Sequence, residues 1–462
     1  MAAGDVDYDL IAVGSGAAAM AAAIRASSIG ARVALVERGV VGGTCVNVGC
    51  VPSKTMLAAA DAFHRAGHHP FAGVPTSAGT PDLATLVGQK DELVGGLRQA
   101  KYVDLAAGYG FEILPGDARF TGPQTLAVDG RELRAGAFLV ATGAEPAVPD
   151  LPGLREAGFL TSTTAMEQTA VPTRLAVIGG GFVGMEQGQL FARLGAAVTI
   201  VGRLGPRAEP ELAEWMTRIF TDDGLTVLPE RAVAVEGDGA RRVVVTDSGQ
   251  RVEADAVLVA VGRAPRVDGL GLDAAGVSLD GRGFVAVDTE QRTSNPRIFA
   301  AGDVTGGPQF VYAAAAQGAV AAENALQGAG RRMDYTGLPA VIFTSPSLAS
   351  AGLTEADARA AGFDCDCRVL PLSAVPRALV NRDTRGAIKL VADTDTGKVL
   401  GVHAVADHAG ELMLAATYAI KFGLTVDDLA DTWAPYLTMS EALKLVAQSF
   451  RVDVKKLSCC AT

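Results

Sequence analysis

Twice in this chain an apolar run feeds a glycine-rich turn and then a helix-forming stretch, and that repeated unit restricts the fold more than any other feature. The first runs Tyr8-Asp-Leu-Ile-Ala-Val13, then Gly14-Ser-Gly16-Ala-Ala-Ala19, then an Ala-rich segment to about Ser28 and a second apolar run over Arg32–Val36. Strand, turn, helix and strand is the context in which G-x-G-x-x-G/A marks a dinucleotide-binding unit. Gly14 permits the turn, Gly16 lets a pyrophosphate approach the backbone, and Ala19 keeps the helix close to the sheet. Glu37 ends the second run, 23 residues after Gly14, where a carboxylate accepts hydrogen bonds from both ribose hydroxyls.

The second unit runs over Leu175–Ile178, then Gly179-Gly-Gly181-Phe-Val-Gly184, a helix through Leu194 and a strand over Ala197–Val201. In register with the first, the residue 23 after Gly179 is Gly202, followed by Arg203 and, close by, Arg207. A carboxylate there would repel a 2′-phosphate, whereas guanidinium forks pair with it. The first unit therefore suits FAD and the second suits NADPH over NADH.

A net charge of −11 argues against nucleic acid or an anionic membrane surface as the main partner. The apolar run from Leu10 to Ile24 is 15 residues long and follows Asp5, Asp7 and Asp9. That is too short for a span of about 20 residues and wrongly charged for an export signal. The six cysteines fall in pairs at 45, 50, 365, 367, 459 and 460, too sparse for a secreted disulfide scaffold. They suggest redox or metal chemistry in a reducing cytosol, so a cytoplasmic location is expected. Cys365 and Cys367 alternate on a strand-like segment, and packing is the reading preferred for them over accessory thiols. His64, His68 and His69 read as surface or loop residues.

Cys45 and Cys50 stand in Gly42-Gly43-Thr44-Cys45-Val-Asn-Val-Gly-Cys50-Val-Pro-Ser-Lys54. Thiols one helical turn apart can close and open a small disulfide ring without large backbone movement. A helix starting near Thr44 would lower the thiol pKa through its dipole. This string resembles the redox-active segment of the pyridine nucleotide-disulfide oxidoreductases. The resemblance implies that Cys50 lies against the flavin, that Cys45 faces the substrate, and that Lys54 sits near flavin N5 with Glu186 as its partner. It extends the FAD contacts to Gly39, Gly43, Thr44, Ala118, the turn Thr142-Gly143, Asp303, and the start of a helix at about Val311. Gly262 falls in the family's return crossing, and Phe182 in the position of an aromatic that covers the nicotinamide pocket.

The fold so implied is α/β, with two Rossmann-like dinucleotide-binding domains plus an α+β dimerisation domain. The expected divisions are 1–150 and 269–335 for the FAD domain, 151–268 for the NADPH domain and 336–462 for dimerisation, hence a homodimer. The chain starts at its first strand, so the N-terminal metal-binding domain of many members is not expected.

Disulfide reductases of the family carry a histidine–glutamate base in a segment like His-Pro-Thr-x-x-Glu. Here the matching stretch is Tyr436-Leu-Thr-Met-Ser-Glu441, and a phenol with pKa near 10 is a poor proton shuttle at neutral pH. The chain ends in Cys459-Cys460, an awkward redox pair but a good soft ligand for a cation that accepts two sulfurs. Together these features resemble a metal-reducing branch of the family. The implied reaction is NADPH- and FAD-dependent reduction of Hg(II), free or thiol-complexed, to Hg(0) as a detoxification. Cys459 and Cys460 of one subunit pass the metal to Cys45 and Cys50 of the other, in active sites shared across the dimer. The alternatives are a dihydrolipoamide- or glutathione-type reductase, which Tyr436 disfavours, and a metal-sequestering flavoprotein without turnover. The complete fingerprints, Lys54, Glu186 and Asp303 disfavour the second.

Overall fold

A computed structural model describes residues 6–237 and 241–458; Cys459 and Cys460 lie outside the described residues. The chain forms two compact units, one of Met1–Thr55, Ala84–Ala147 and Gly262–Asp334, the other of Met56–Leu83, Val148–Val261 and Tyr335–Thr462.

In the first unit, β1 (Tyr8–Val13), α1 (Ala17–Ser28) and β2 (Val33–Glu37) form as the sequence dictates. Leu10 to Val13 are buried, as a continuous apolar run must be when both faces of a parallel strand are covered. β1 pairs in parallel with β2 and with Arg131–Val140, whose outer side accepts Ile298–Ala300. The chain passes from β1 to β2 on one side and returns to its other side only at Arg131–Val140, which opens a crevice at the C-terminal end of β1, where doubly wound sheets take their ligands. Ala118–Gly122 and Thr125–Val128 extend the sheet as an antiparallel meander. Phe120 and Phe138 meet edge to face at 5.4 Å beneath it.

The alanines of α1 serve close packing. Helix Val311–Gln327 lies so near that a Cβ on Gly318 would stand 2.0 Å from the Ala18 carbonyl oxygen. Gln317, 1% exposed, accepts the Gly302 amide at 2.7 Å. The turn carrying Asp303 is thereby fixed to the helix that begins at Val311.

The second unit holds a four-stranded parallel sheet, in the order Thr226–Leu228, Ala197–Val201, Arg174–Ile178, Ala256–Val259. It also holds a five-stranded antiparallel sheet, in the order Pro339–Ile342, Ser347–Gly352, Val399–Ala406, Ala387–Asp393, Cys365–Pro371. One face of that sheet packs Ile388, Leu390, Val402 and Ala404 against Leu412, Met413, Leu445 and Val446. Its other face carries Lys389, 1% exposed, whose Nζ meets Glu209 at 2.9 Å, Glu211 at 3.0 Å and Glu355 at 2.8 Å. Burial opposes the ammonium charge, but the three hydrogen bonds outweigh it and raise the Lys389 pKa. The same contact pulls the Glu355 carboxyl down to about 2. Among the described residues no helix is long and apolar enough to cross a membrane.

Candidate active site

In the first unit the fingerprint turn is shaped by backbone contact. Gly14 has φ +111°, and a Cβ there would stand 2.4 Å from the Ala141 carbonyl oxygen. A Cβ on Gly43 would stand 2.6 Å from Gly16 Cα, so two glycine-rich turns touch without side chains between them. Ala19 is fully buried on the inner face of α1. Glu37 is held in place before any ligand arrives. Its Oε2 accepts from Ser15 Oγ at 2.6 Å and its Oε1 from the Gly39 amide at 2.8 Å. Ser15 Oγ in turn accepts from the Gly42 amide at 3.0 Å. Ser15 is 1% exposed; it occupies a variable position of the fingerprint, where sequence reading had no reason to select it.

Ala118 opens the strand Ala118–Gly122. Thr142 Oγ1 donates to the Arg266 carbonyl at 2.6 Å and Gly143 accepts the Arg266 amide at 3.0 Å, while Gly262 accepts the Ala147 amide at 2.9 Å. Burial pushes the Asp303 carboxyl upward, opposed by Arg263, whose Nε lies 3.3 Å from its Oδ2. Arg263 also donates to the Ala144 carbonyl and approaches Thr44 Oγ1 at 3.5 Å. This guanidinium, absent from the sequence-derived set, ties the Asp303 turn to the cysteine loop. Its signal was present in Gly262-Arg263-Ala264-Pro265, but nothing in the spacing pointed to a carboxylate partner 40 residues on.

The two thiols lie where a short helix hands over to a long one. Cys45 is half-buried in α2 (Gly43–Asn47), and Cys50 is the exposed first residue of α3 (Cys50–Gly67). Asn47 Nδ2 donates to the Val41 and Gly43 carbonyls at 3.0 and 2.9 Å, cross-tying the loop. The two cysteines are not joined in a disulfide. The Cys45 pKa is raised rather than lowered as the sequence led one to expect. Its hydrogen bond with Cys50 and then burial drive it upward, and Lys54, one turn further along α3, offsets this only in part. Burial, and then the nearby Cys50, push the Tyr312 phenol up to about 12. Tyr102, raised mainly by burial, also feels both cysteines. No sequence motif marks either tyrosine. Val311, the first residue of the helix Val311–Gln327, is exposed.

In the second unit a Cβ on Gly179 would stand 2.4 Å from the Ala260 carbonyl oxygen, and one on Gly184 only 1.9 Å from the Gly179 carbonyl oxygen. Gly181 caps the helix Phe182–Arg193. Phe182 is 39% exposed at its first position, whereas Glu186 is buried and accepts the Phe343 amide at 2.9 Å. Arg203 and Arg207 are both exposed and make no ion pair among the described residues. Such guanidiniums are open to an anionic ligand.

Tyr436 is half-exposed beside Leu437, whose φ is +60°. The Leu437 amide donates to Glu441 Oε2 at 3.3 Å, and Glu441 is 1% exposed. His64, on the last turn of α3, stacks at 4.4 Å on His68, just past the helix end.

The chain belongs to the pyridine nucleotide-disulphide oxidoreductase family, whose model matches residues 8–318 and whose dimerisation domain matches residues 338–447. It is 52% identical over 466 residues to a mercuric reductase of Streptomyces lividans, covering 98% of each chain. It is 50% identical to a mercuric reductase of Bacillus cereus, over 99% of this chain and 74% of that one. Among solved structures it resembles the HOCl-induced flavoprotein disulfide reductase RclA from Escherichia coli, with TM-score 0.85, 30% identity, and coverage of 96% of this chain and 99% of that one.

Proposed function

We propose that this chain is an NADPH- and FAD-dependent reductase that converts Hg(II) to Hg(0), acting as a cytoplasmic homodimer in detoxification. The observation that carries the reading is the Cys45–Cys50 pair, hydrogen-bonded and not joined in a disulfide, in a chain 52% identical to a mercuric reductase over 98% of its length. The donor set fits both cofactors. The Gly14, Gly16 and Gly43 cradle with Ser15, Glu37 and Gly39 suits the adenosine diphosphate of FAD, with Ala118, Thr142, Gly143, Asp303 and Val311 along the rest of it. Gly179, Gly181 and Gly184, with the unpaired Arg203 and Arg207, suit NADPH. Bound FAD supplies two-electron transfer from the nicotinamide to sulfur and metal.

The chain's own residues then have defined tasks. Cys45 and Cys50 hold Hg(II) between two sulfurs, and soft thiolates suit such an ion. Lys54 compensates their negative charge, Phe182 covers the nicotinamide, and Tyr436 donates a hydrogen bond to a metal-bound thiolate instead of moving protons. Cys459 and Cys460 take the metal first and pass it, by thiolate exchange, across the dimer to the inner pair. The neutral atom binds thiolate poorly and leaves. Leu414, Tyr418 and Phe422 are 59%, 52% and 70% exposed along one stripe of the helix Ala409–Lys421 and its cap, an apolar surface suited to a second copy.

The test follows NADPH absorbance with FAD-loaded enzyme, Hg(II) and excess thiol, while elemental vapour is trapped. Catalytic NADPH consumption with mercury vapour is expected. No consumption, with brisk cleavage of lipoamide, would make the protein a disulfide reductase; consumption that ends at the bound metal would make it a sequestering protein. Replacing Cys459 and Cys460 together with alanine should chiefly slow turnover of thiol-complexed Hg(II). Unchanged rates with such complexes would remove the tail from the mechanism.

A further inference from the structure

The edge strand Cys365–Pro371 ends the five-stranded sheet and pairs with Ala387–Asp393. Its two faces differ. Leu370 is buried in the apolar core, and the Arg368 guanidinium lies 4.8 Å above the Phe450 ring on the same side. Cys365, Cys367 and Val369 alternate onto the opposite side, which is also the side of Lys389, the register partner of Val369. There Cys367 hydrogen-bonds Glu355, and the Arg359 guanidinium stands close enough to both thiols to interact with their charge. Both cysteines are free and only partly buried. The reaction proposed above uses neither.

Spacing decides what two such thiols can do. Alternate residues on a strand are about 6.6–6.8 Å apart along the chain, at the outer limit of the ~4.4–6.8 Å that a disulfide tolerates. Two sulfurs sharing one cation need to come only within about 4.6 Å, twice a metal–thiolate bond of ~2.3 Å. A bridging cation thus demands far less distortion than a disulfide. No group of three or more His, Cys, Asp or Glu side chains among the described residues is arranged to hold a metal. That excludes a four-ligand zinc site here and leaves a cation satisfied by two soft ligands. Glu355 binds Lys389 and Arg359 as well as the Cys367 thiol, and Arg359 offsets the charge of deprotonated sulfur.

We infer that Cys365 and Cys367 form a second soft-cation site, which holds one Hg(II) as a two-coordinate dithiolate on the edge of the dimerisation sheet. Loading from a bis-thiol complex breaks the two carrier Hg–S bonds and two cysteine S–H bonds, and forms two Hg–S bonds to the protein and two carrier S–H bonds. Two carrier thiols leave with the two protons, and no electron moves. The site is a reserve for metal outside the redox centre. It borrows from the proposed function only the choice of ion.

The experiment uses full-length, FAD-loaded protein with Cys45, Cys50, Cys459 and Cys460 replaced by alanine, so that Cys365 and Cys367 are the remaining thiols of the six. Hg(II) is supplied with excess glutathione and the protein is desalted. One Hg(II) per chain is expected to stay bound, with both thiols lost to a thiol reagent. Cys365→Ser or Cys367→Ser should each reduce retention about 100-fold, the advantage conferred by a tethered second ligand. Retention indifferent to either serine, two mercury ions each carrying a glutathione, or none bound by folded protein would overturn the site. Because no step in this test is a reduction, its failure and failure of the reductase reading are distinguishable.

Discussion

The two nucleotide-binding turns share one plan and differ at two places that matter. Each starts with a glycine whose Cβ would stand 2.4 Å from a carbonyl oxygen on the neighbouring strand, Ala141 in one and Ala260 in the other. Position six of the fingerprint is the first difference. Ala19 carries a side chain and is fully buried, whereas a Cβ on Gly184 would meet the Gly179 carbonyl oxygen at 1.9 Å. The end of the second strand is the other. Glu37 is pinned there by Ser15 and Gly39, while the equivalent Gly202 has φ +143° and would place a Cβ 3.0 Å from the Gly180 amide nitrogen. The second turn therefore does not merely lack the carboxylate; its backbone disfavours any side chain at that place. Under the proposed function, cofactor preference would rest on this backbone conformation as well as on Arg203 and Arg207.

The largest effect is expected at the two thiols beside the first turn, where the proposed reaction places the sulfur chemistry. Cys45→Ala or Cys50→Ala should lower Hg(II) reduction by about 10³-fold or more, with FAD content and NADPH binding unchanged. Retained turnover would remove the inner pair from the reaction. Next in size is Gly184→Ala. The helix must move by more than an ångström to admit the methyl group, and a displacement of that size costs about 10²-fold in a positioned reaction. NADPH KM should rise by that order while FAD stays bound. The mirror change, Ala19→Gly, should cost only about 1 kcal/mol of stability, measured by thermal unfolding. Equal sensitivity at both sites would break the asymmetry.

A smaller effect is expected from Glu37→Gln. Charge-assisted hydrogen bonds contribute about 1.5–3 kcal/mol, so FAD retention on dilution should fall roughly 10- to 100-fold with no change in NADPH KM. Glu37 also shows where the sequence was legible. Its spacing from Gly14 and its absence at Gly202 were readable because the strand–turn–helix period is rigid. Ser15, Arg263, Tyr102 and Tyr312 were not, since their partners are brought near by sheet order and helix docking. The direction of the Cys45 pKa was missed for a similar reason: a helix start was legible in the sequence, and the hydrogen bond with Cys50 that raises it was not. Lys389 with its three glutamates left no trace, because residues 209, 211, 355 and 389 meet only after two sheets have formed.

The smallest effect isolates charge from backbone at the second turn. Arg203 is exposed, so the proposed pairing with a 2′-phosphate would be screened by water, and pairs of that kind contribute on the order of 1 kcal/mol. Arg203→Ala should therefore reduce the NADPH-over-NADH ratio of kcat/KM by only about 5- to 10-fold. The loss should fall on KM for NADPH and leave NADH untouched. Adding Arg207→Ala should deepen it, because two guanidiniums around one phosphate share the load. Gly202→Glu on the double variant should not restore NADH to the level a carboxylate gives elsewhere, since the positive φ there strains any side chain. If the triple variant became an efficient NADH enzyme, the backbone at Gly202 would not be the constraint, and the two turns would differ by charge alone.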